Sequence, residues 1–224
     1  MQYYDLLIYI CFFTVQKYFS EFLGTFLLVL VGTGSIIIND LFYPIGNFGI
    51  ALAFGANVTI VIYVFGKTSG AHINPAVSIS FLMIGNLSKV AILPYVLFQT
   101  IGAIGASLCL KIIVPHHPTL GTTLPIGHWS KAFLLEFLLT FALLFIILLF
   151  SQHDKLKKYT ALAVGATVGL EAYFAGPYTG ASMNPARSIG PAFVSGNLQY
   201  LWVYIISTIL GAICATLVFR FVKK

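Results

Sequence analysis

The sequence predicts an all-α membrane protein: six transmembrane helices plus two re-entrant half-helices, arranged as an inverted three-plus-three repeat. Three observations predict it. First, the 224-residue chain is 59% hydrophobic and only 8% charged, against about 25% charged in a soluble domain. So few Asp, Glu, Lys and Arg side chains cannot cover a 24.5 kDa globule with a water-facing surface. Second, the apolar residues run continuously instead of alternating, which excludes a closed barrel and requires helices. Third, the chain repeats itself at nearly one period. The net charge of +6 is spread among the apolar runs and forms no continuous basic stripe, so nucleic acid is not an expected partner.

A helix needs about 20 mostly apolar residues to cross roughly 30 Å of hydrocarbon. Six segments meet this: residues 18–38, 48–65, 90–110, 132–150, 159–176 and 200–219. Lys89 and Lys111 frame the third, and Lys131 and the polar run from Ser151 to Lys155 frame the fourth. Residues 1–17 are expected to be a cytoplasmic or interfacial segment, or an extension of the first span. Residues 18–224 then form one domain, with a first repeat at about 18–110 and a second at about 131–219. Between spans two and three, and again between five and six, a short apolar stretch begins at Asn74 and at Asn184. Each is too short to cross. Interrupted segments at matching places in two halves are the signature of re-entrant half-helices meeting near the midplane.

The repeat is visible residue by residue. Glu21-Phe22-Leu23-x-Thr25-Phe26-x-Leu28 returns as Glu136-Phe137-Leu138-x-Thr140-Phe141-x-Leu143, at an offset of 115. Ile101-Gly102-Ala103-Ile104 returns as Leu210-Gly211-Ala212-Ile213 at 109, and the two Asn-Pro-Ala motifs are 110 apart. Three spans separate equivalent points, so the second half is inverted relative to the first. With six spans both termini share one side. That side carries Lys17, Lys67, Lys89, Lys155, Lys157, Lys158, Arg220, Lys223 and Lys224, against Lys111 and Lys131 on the other. The positive-inside rule makes both termini cytoplasmic.

The chemistry-bearing motifs are Gly70-Ala71-His72-Ile73-Asn74-Pro75-Ala76 and Gly180-Ala181-Ser182-Met183-Asn184-Pro185-Ala186-Arg187. Each Asn suits an N-cap and each following Pro the first helical position, where its missing N–H costs nothing. Two half-helices then aim their positive ends at one midplane point. The Asn amides offer donors there, and the four residues before each Asn offer backbone carbonyls as acceptors. Arg187 is a cation that no loop explains, and a buried cation inside a membrane is a functional candidate by default.

On these motifs the chain resembles the aquaporin, or major intrinsic protein, family from about residue 19 to 219. The resemblance implies a channel for water, with a pore in each protomer of a homotetramer, in the lipid bilayer of the plasma membrane. It implies that Arg187 belongs to a selectivity filter completed by Phe54, Ala172 and Ala181, which lie twenty residues before Asn74 and twelve and three before Asn184. Strict water channels of the family usually carry His at the position of Ala172. A methyl group there widens the filter and removes a donor, so small uncharged solutes such as glycerol, urea, ammonia, hydrogen peroxide or a metalloid hydroxide become candidate passengers. Ser188 and Ala192 match the water branch instead, while in the last span Tyr204 matches the water branch and Ile205 the glycerol branch. The subclass signal is mixed. Tyr173 or Phe174 swinging into the space left by Ala172 would narrow it again. The resemblance also implies that Glu21 and Glu136 face inward and support the re-entrant loops, a pair that would be expensive facing lipid.

Glu171 has no counterpart in the first half, and it is expected to pack behind the filter, since a pore carboxylate would pair with Arg187 and obstruct the path. The ring of His72 is expected in the core. His116, His117, His128 and His153 fall in loops and are assigned no role. Cys11, Cys109 and Cys214 lie in apolar stretches without ligand spacing, so no metal, disulfide or cofactor is expected. No nucleophile converges with a base, so no enzyme is expected. Two rivals stand beside the channel. An inverted-repeat secondary transporter needs titratable groups at the midplane, where this chain has two neutral amides. An occluded junction-forming membrane protein would call for long or charged external loops, whereas the 111–131 connection is moderate in length.

Overall fold

The computed structural model describes residues 2–42 and 44–223, with side chains in the first helix described from residue 14 onward. Among the described residues eight α-helices follow one another: α1 (Gln2–Leu41), α2 (Gly46–Phe65), α3 (Pro75–Met83), α4 (Ile92–Ile113), α5 (Trp129–Ser151), α6 (Thr160–Thr179), α7 (Pro185–Ser195) and α8 (Leu201–Val222). A 3₁₀ turn at Lys157–Tyr159 leads into α6, and no strand occurs among the described residues. The six predicted spans are the six long helices. The 40 residues of α1 reach about 60 Å, twice the hydrocarbon thickness. Residues 2–17 are helical and continuous with the first span; Met1 lies outside the described residues.

Five of the long helices are apolar enough to cross a membrane on composition alone; α6 is the one that falls short. Its glycines and threonines, Glu171 and Pro177 lower its mean hydropathy. It packs on α2 and α5. Where α6 meets α2 the backbones touch, because a Cβ on Gly55 would stand 2.7 Å from the Gly165 carbonyl oxygen. Small residues at membrane helix contacts permit this approach. Pro177 does not end α6, as the sequence boundary at Gly176 had it; the helix runs on to Thr179 and stops at Gly180, whose φ of +84° a residue with a Cβ adopts with strain. The N-terminus of α5 lies three residues earlier than predicted, at Trp129, because the His128 side chain caps it by accepting from Ser130 N.

The internal repeat is expressed in packing. A Cβ on Gly102 of α4 would overlap the Phe22 carbonyl of α1, and one on Gly211 of α8 would overlap the Phe137 carbonyl of α5. Burial is inverted relative to a soluble protein. Glu21, Thr25, Glu136 and Thr140 are fully buried, whereas Val90, Ile112 and Phe221 are about 80% exposed (84%, 80% and 80%). That is what lipid as the outer solvent selects.

α3 and α7 have nine and eleven residues, about 13 and 16 Å, so laid end to end they span about the hydrocarbon thickness. Each packs on the helix that closes the other half: Ser80 Oγ is 3.4 Å from the Ala212 carbonyl of α8, and Gly190 sits so close to the Ala103 carbonyl of α4 that a Cβ would lie 2.5 Å from it.

Candidate functional site

The N-termini of α3 and α7 meet. Asn74 and Asn184 hold extended backbone (φ −158° and −152°), and each is the N-cap, with Pro at N1 behind it. Asn74 Oδ1 accepts from Ala76 N at 2.8 Å, and Asn184 Oδ1 accepts from Ala186 N at 3.0 Å. Each amide nitrogen crosses to the opposite loop: Asn74 Nδ2 donates to the Met183 carbonyl at 2.8 Å, and Asn184 Nδ2 to the Ile73 carbonyl at 2.9 Å. An amide NH₂ has two hydrogens, so one on each Asn remains for a third partner. The two helix dipoles place positive potential at this junction.

The segments before each Asn are strained. Ala71, Ile73, Ala181 and Met183 all have φ between +41° and +52°, a region that costs a side-chain-bearing residue on the order of 1–3 kcal/mol. They persist because a buried carboxylate collects their N–H groups. Glu21 Oε1 accepts from His72 N at 2.9 Å and Oε2 from Ile73 N at 2.7 Å and from Gln99 Nε2 at 2.7 Å. Glu136 Oε1 accepts from Ser182 N at 2.8 Å and from Thr179 Oγ1 at 2.7 Å, and Oε2 from Met183 N at 2.9 Å. One residue further out, Ala71 N donates to Ser69 Oγ and Ala181 N to Thr179 Oγ1, at 3.0 and 3.1 Å. The Ser69–Thr179 pair was missed, though Ser-Gly-Ala and Thr-Gly-Ala extend the repeated motif by one legible position. Gln99 was missed too, and a lone Gln inside an apolar span was the signal. The His72 ring is in the core, as expected, 3.1 Å from Ser78 Oγ and against Phe81 and Tyr95.

A cavity of about 800 Å³ runs through this junction. Lys17, Lys67, Lys157 and Lys158 line one end, Asn74 and Asn184 its middle, and Phe54, Ala172, Ala181 and Arg187 the other end, with no carboxylate among the described residues that line it. Gly70, Ala71, His72, Ile73, Ser182 and Met183 also border it; Gly180 is the one residue of the two pre-Asn segments that does not. Arg187 is 1% exposed and its Cζ lies 5.3 Å from the Phe54 ring centroid. Gly32 of α1 leaves the room in which that ring sits. Nη1 of Arg187 donates to the Gly121 carbonyl at 2.8 Å, while Nε and Nη2 have no protein partner. A buried guanidinium with two unpaired donors beside a cavity is a site for an oxygen-bearing guest.

Glu171 does not line the cavity, and its Oε2 is buried without a partner. Tyr173 and Phe174 are 42% and 67% exposed on the outer face, where they border a groove between α2 and α6. The narrowing that the sequence left open therefore does not occur. His117 is a second correction: far from lying idle in a loop, it is buried and hydrogen-bonded to backbone N–H groups of the segment that holds Arg187.

The family model described as Major intrinsic protein matches residues 11–219. Nodulin-26 of Glycine max is 36% identical over 212 residues, covering 93% of this chain and 78% of the relative. Aquaporin NIP1-4 of Oryza sativa subsp. japonica is 40% identical over 200 residues, covering 88% and 73%. Among solved structures, the aquaglyceroporin from Plasmodium falciparum superposes with a TM-score of 0.80 at 26% identity, covering 91% of this chain and 94% of that one.

Proposed function

This chain belongs to the major intrinsic protein family, and on that premise we propose that Asn74, Asn184 and the Phe54, Ala172, Ala181 and Arg187 set line the path by which it conducts. It is an integral, multi-pass membrane protein and a channel for water and small neutral solutes; neither an inverted-repeat transporter nor an occluded junction protein is favoured. The observation that carries the residue assignment is the single cavity bordered by both Asn amides and by Arg187, whose Nε and Nη2 are unpaired. Molecules in single file exchange hydrogen bonds along the carbonyls of residues 70–73 and 181–183, the residues of the two loops that border the cavity, Gly180 of the expected set being away from it. At the centre the free hydrogens of the two amides orient one oxygen, while Arg187 and the positive ends of α3 and α7 oppose cations and protons.

The methyl groups of Ala172 and Ala181 support a wide filter, and hence glycerol- or urea-sized passengers. The solved relative named an aquaglyceroporin is in keeping with that width. The reading extends to a homotetramer in the plasma membrane with cytoplasmic termini, supported by family membership and by the nine basic side chains on the terminal side. The same reading takes residues 18–224 as the channel domain and residues 1–17 as a cytoplasmic or interfacial segment; residues 2–17 belong to the continuous helix α1.

The test is stopped-flow light scattering on proteoliposomes with a parallel assay of cation leak. Wild-type vesicles shrink fast under an impermeant osmolyte and hold a cation gradient, whereas Arg187→Ala vesicles shrink as fast but leak cations. Arg187→Ala vesicles as tight to cations as wild type would remove Arg187 from the filter.

A further inference from the structure

We propose that His117 is a positioning residue for Arg187, acting through the loop that carries Gly121, and that protonation of its ring closes the passage from the non-terminal side. The inference rests on the reading that Arg187 borders the conducting path.

His117 is 4% exposed in the connection between α4 and α5. Its Nδ1 accepts from Leu120 N at 2.9 Å and from Thr119 N at 3.3 Å. A nitrogen that accepts from two N–H groups carries no proton, so the ring hydrogen is on Nε2, which faces Asp40 Oδ2 of α1 at 3.5 Å. The imidazole thus closes a tight turn whose next two residues are in the left-handed region, Leu120 at φ +52° and Gly121 at φ +72°. Leu120 is fully buried against Ile37, Leu110 and Val114. Gly121 lies so close to α1 that a Cβ would stand 2.8 Å from Thr33 Cβ. The carbonyl of Gly121 is the one protein acceptor for the Arg187 side chain among the described residues.

Proton addition to Nδ1 converts an acceptor into a donor facing two donors. Leu120 and Thr119 then lose their partner, the turn no longer holds Leu120 and Gly121 at positive φ, and the Gly121 carbonyl leaves Arg187 Nη1. A buried guanidinium without that acceptor turns toward the cavity, where oxygen partners are, and into the path between Phe54 and Ala172. The charged groups on the elements around the turn are Asp40 on α1, Lys111 in the last turn of α4 and Arg187 on α7; His116, beside His117, is exposed. The attachments that remain confine the change to the turn: Asn197 Nδ2 still holds the Pro118 carbonyl, Thr122 still meets Ser195, and Thr123 still meets Ser188.

The test uses His117→Asn, whose Oδ1 stands as many bonds from Cβ as Nδ1 does and accepts without titrating, and His117→Leu, which cannot accept. Water permeability of proteoliposomes is measured with equal pH on both sides, at about 7.5 and about 5.0, a range in which a histidine changes charge. Wild type loses about fivefold or more on acidification, the population shift that two lost backbone bonds produce. His117→Asn matches wild type at the higher pH and stays flat, and His117→Leu is low at both. Hydrogen exchange at Leu120 N–H, corrected for intrinsic rate, gives a readout independent of transport: protection falls with pH in wild type and not in His117→Asn. A wild-type channel that conducts at pH 7.5 and is flat to pH 5.0 overturns the inference while leaving the channel reading intact. The same fall in His117→Asn, or unchanged Leu120 protection, overturns it too. A wild type that does not conduct at either pH refutes the channel reading on which the inference rests.

Discussion

The two buried glutamates look equivalent, but their oxygens are shared differently, and Gln substitution separates them. In Glu21 the oxygens serve one backbone N–H each, His72 N on Oε1 and Ile73 N on Oε2. Whichever oxygen becomes an NH₂ group in Glu21→Gln, one backbone donor is left facing another donor; Gln99, whose Oε1 has no partner, can turn its amide to suit but cannot rescue that N–H. In Glu136 the N–H of Ser182 reaches both oxygens, at 2.8 and 3.1 Å, and Met183 N uses Oε2. Placing the NH₂ at Oε1 keeps both backbone donors on the remaining oxygen, and the new NH₂ donates to Thr179 Oγ1. A buried donor without a partner costs about 1–3 kcal/mol, and loss of the charge weakens the surviving bonds alike in both variants. Glu21→Gln is therefore less stable than Glu136→Gln by about 1–3 kcal/mol. The assay is reversible unfolding by SDS in mixed micelles, followed by the fluorescence of Trp129 and Trp202, which lie against each other with ring centroids 5.0 Å apart. Equal midpoints, or a less stable Glu136→Gln, would refute the reasoning.

Gly211→Ala drives a methyl group into the Phe137 carbonyl and lowers the same unfolding free energy by about 1–3 kcal/mol, whereas Gly85→Ala, which meets nothing within 4 Å, is spared that overlap and bears only the strain of its positive φ. Ala181→Cys puts a thiol on the cavity, so a methanethiosulfonate reagent or mercury abolishes most of the water flux of that variant. Cys109 and Cys214 do not line the cavity, and the side chain of Cys11 lies outside the described ones, so a Cys11→Ser background that retains Ala181 resists both reagents; block of that background would contradict this.

Much of this architecture was legible because lipid makes the rules few. Continuous apolar runs located six helices, and α6 was found although Glu171 and Pro177 dilute it, because residues 159–176 still read as one mostly apolar run. The half-helix caps were legible because Asn followed by Pro has few other uses at the start of a short helix. What escaped was long-range in origin. Ser69 and Gln99 each carried a local signal, but only the fold shows that they converge on the loop braced by Glu21, and nothing local tells that Tyr173 and Phe174 face outward while Ala172 faces in, one residue earlier on α6. His117 was unreadable for the same reason. Its partners are backbone groups three residues away or nearer and a carboxylate on α1, and only the folded turn shows that the Gly121 carbonyl ends at Arg187.

On the proposed reading, Ala172 sets the width of the passage opposite Phe54 and Arg187. Glycerol re-swelling of proteoliposomes after osmotic shrinkage, compared between wild type and Ala172→His, tests it most directly. Wild type re-swells fast and Ala172→His re-swells about tenfold or more slowly while water flux persists, since one misfitting group in a filter is worth about that much discrimination. Wild-type vesicles that shrink fast and never re-swell, or re-swelling that Ala172→His leaves untouched, would contradict it.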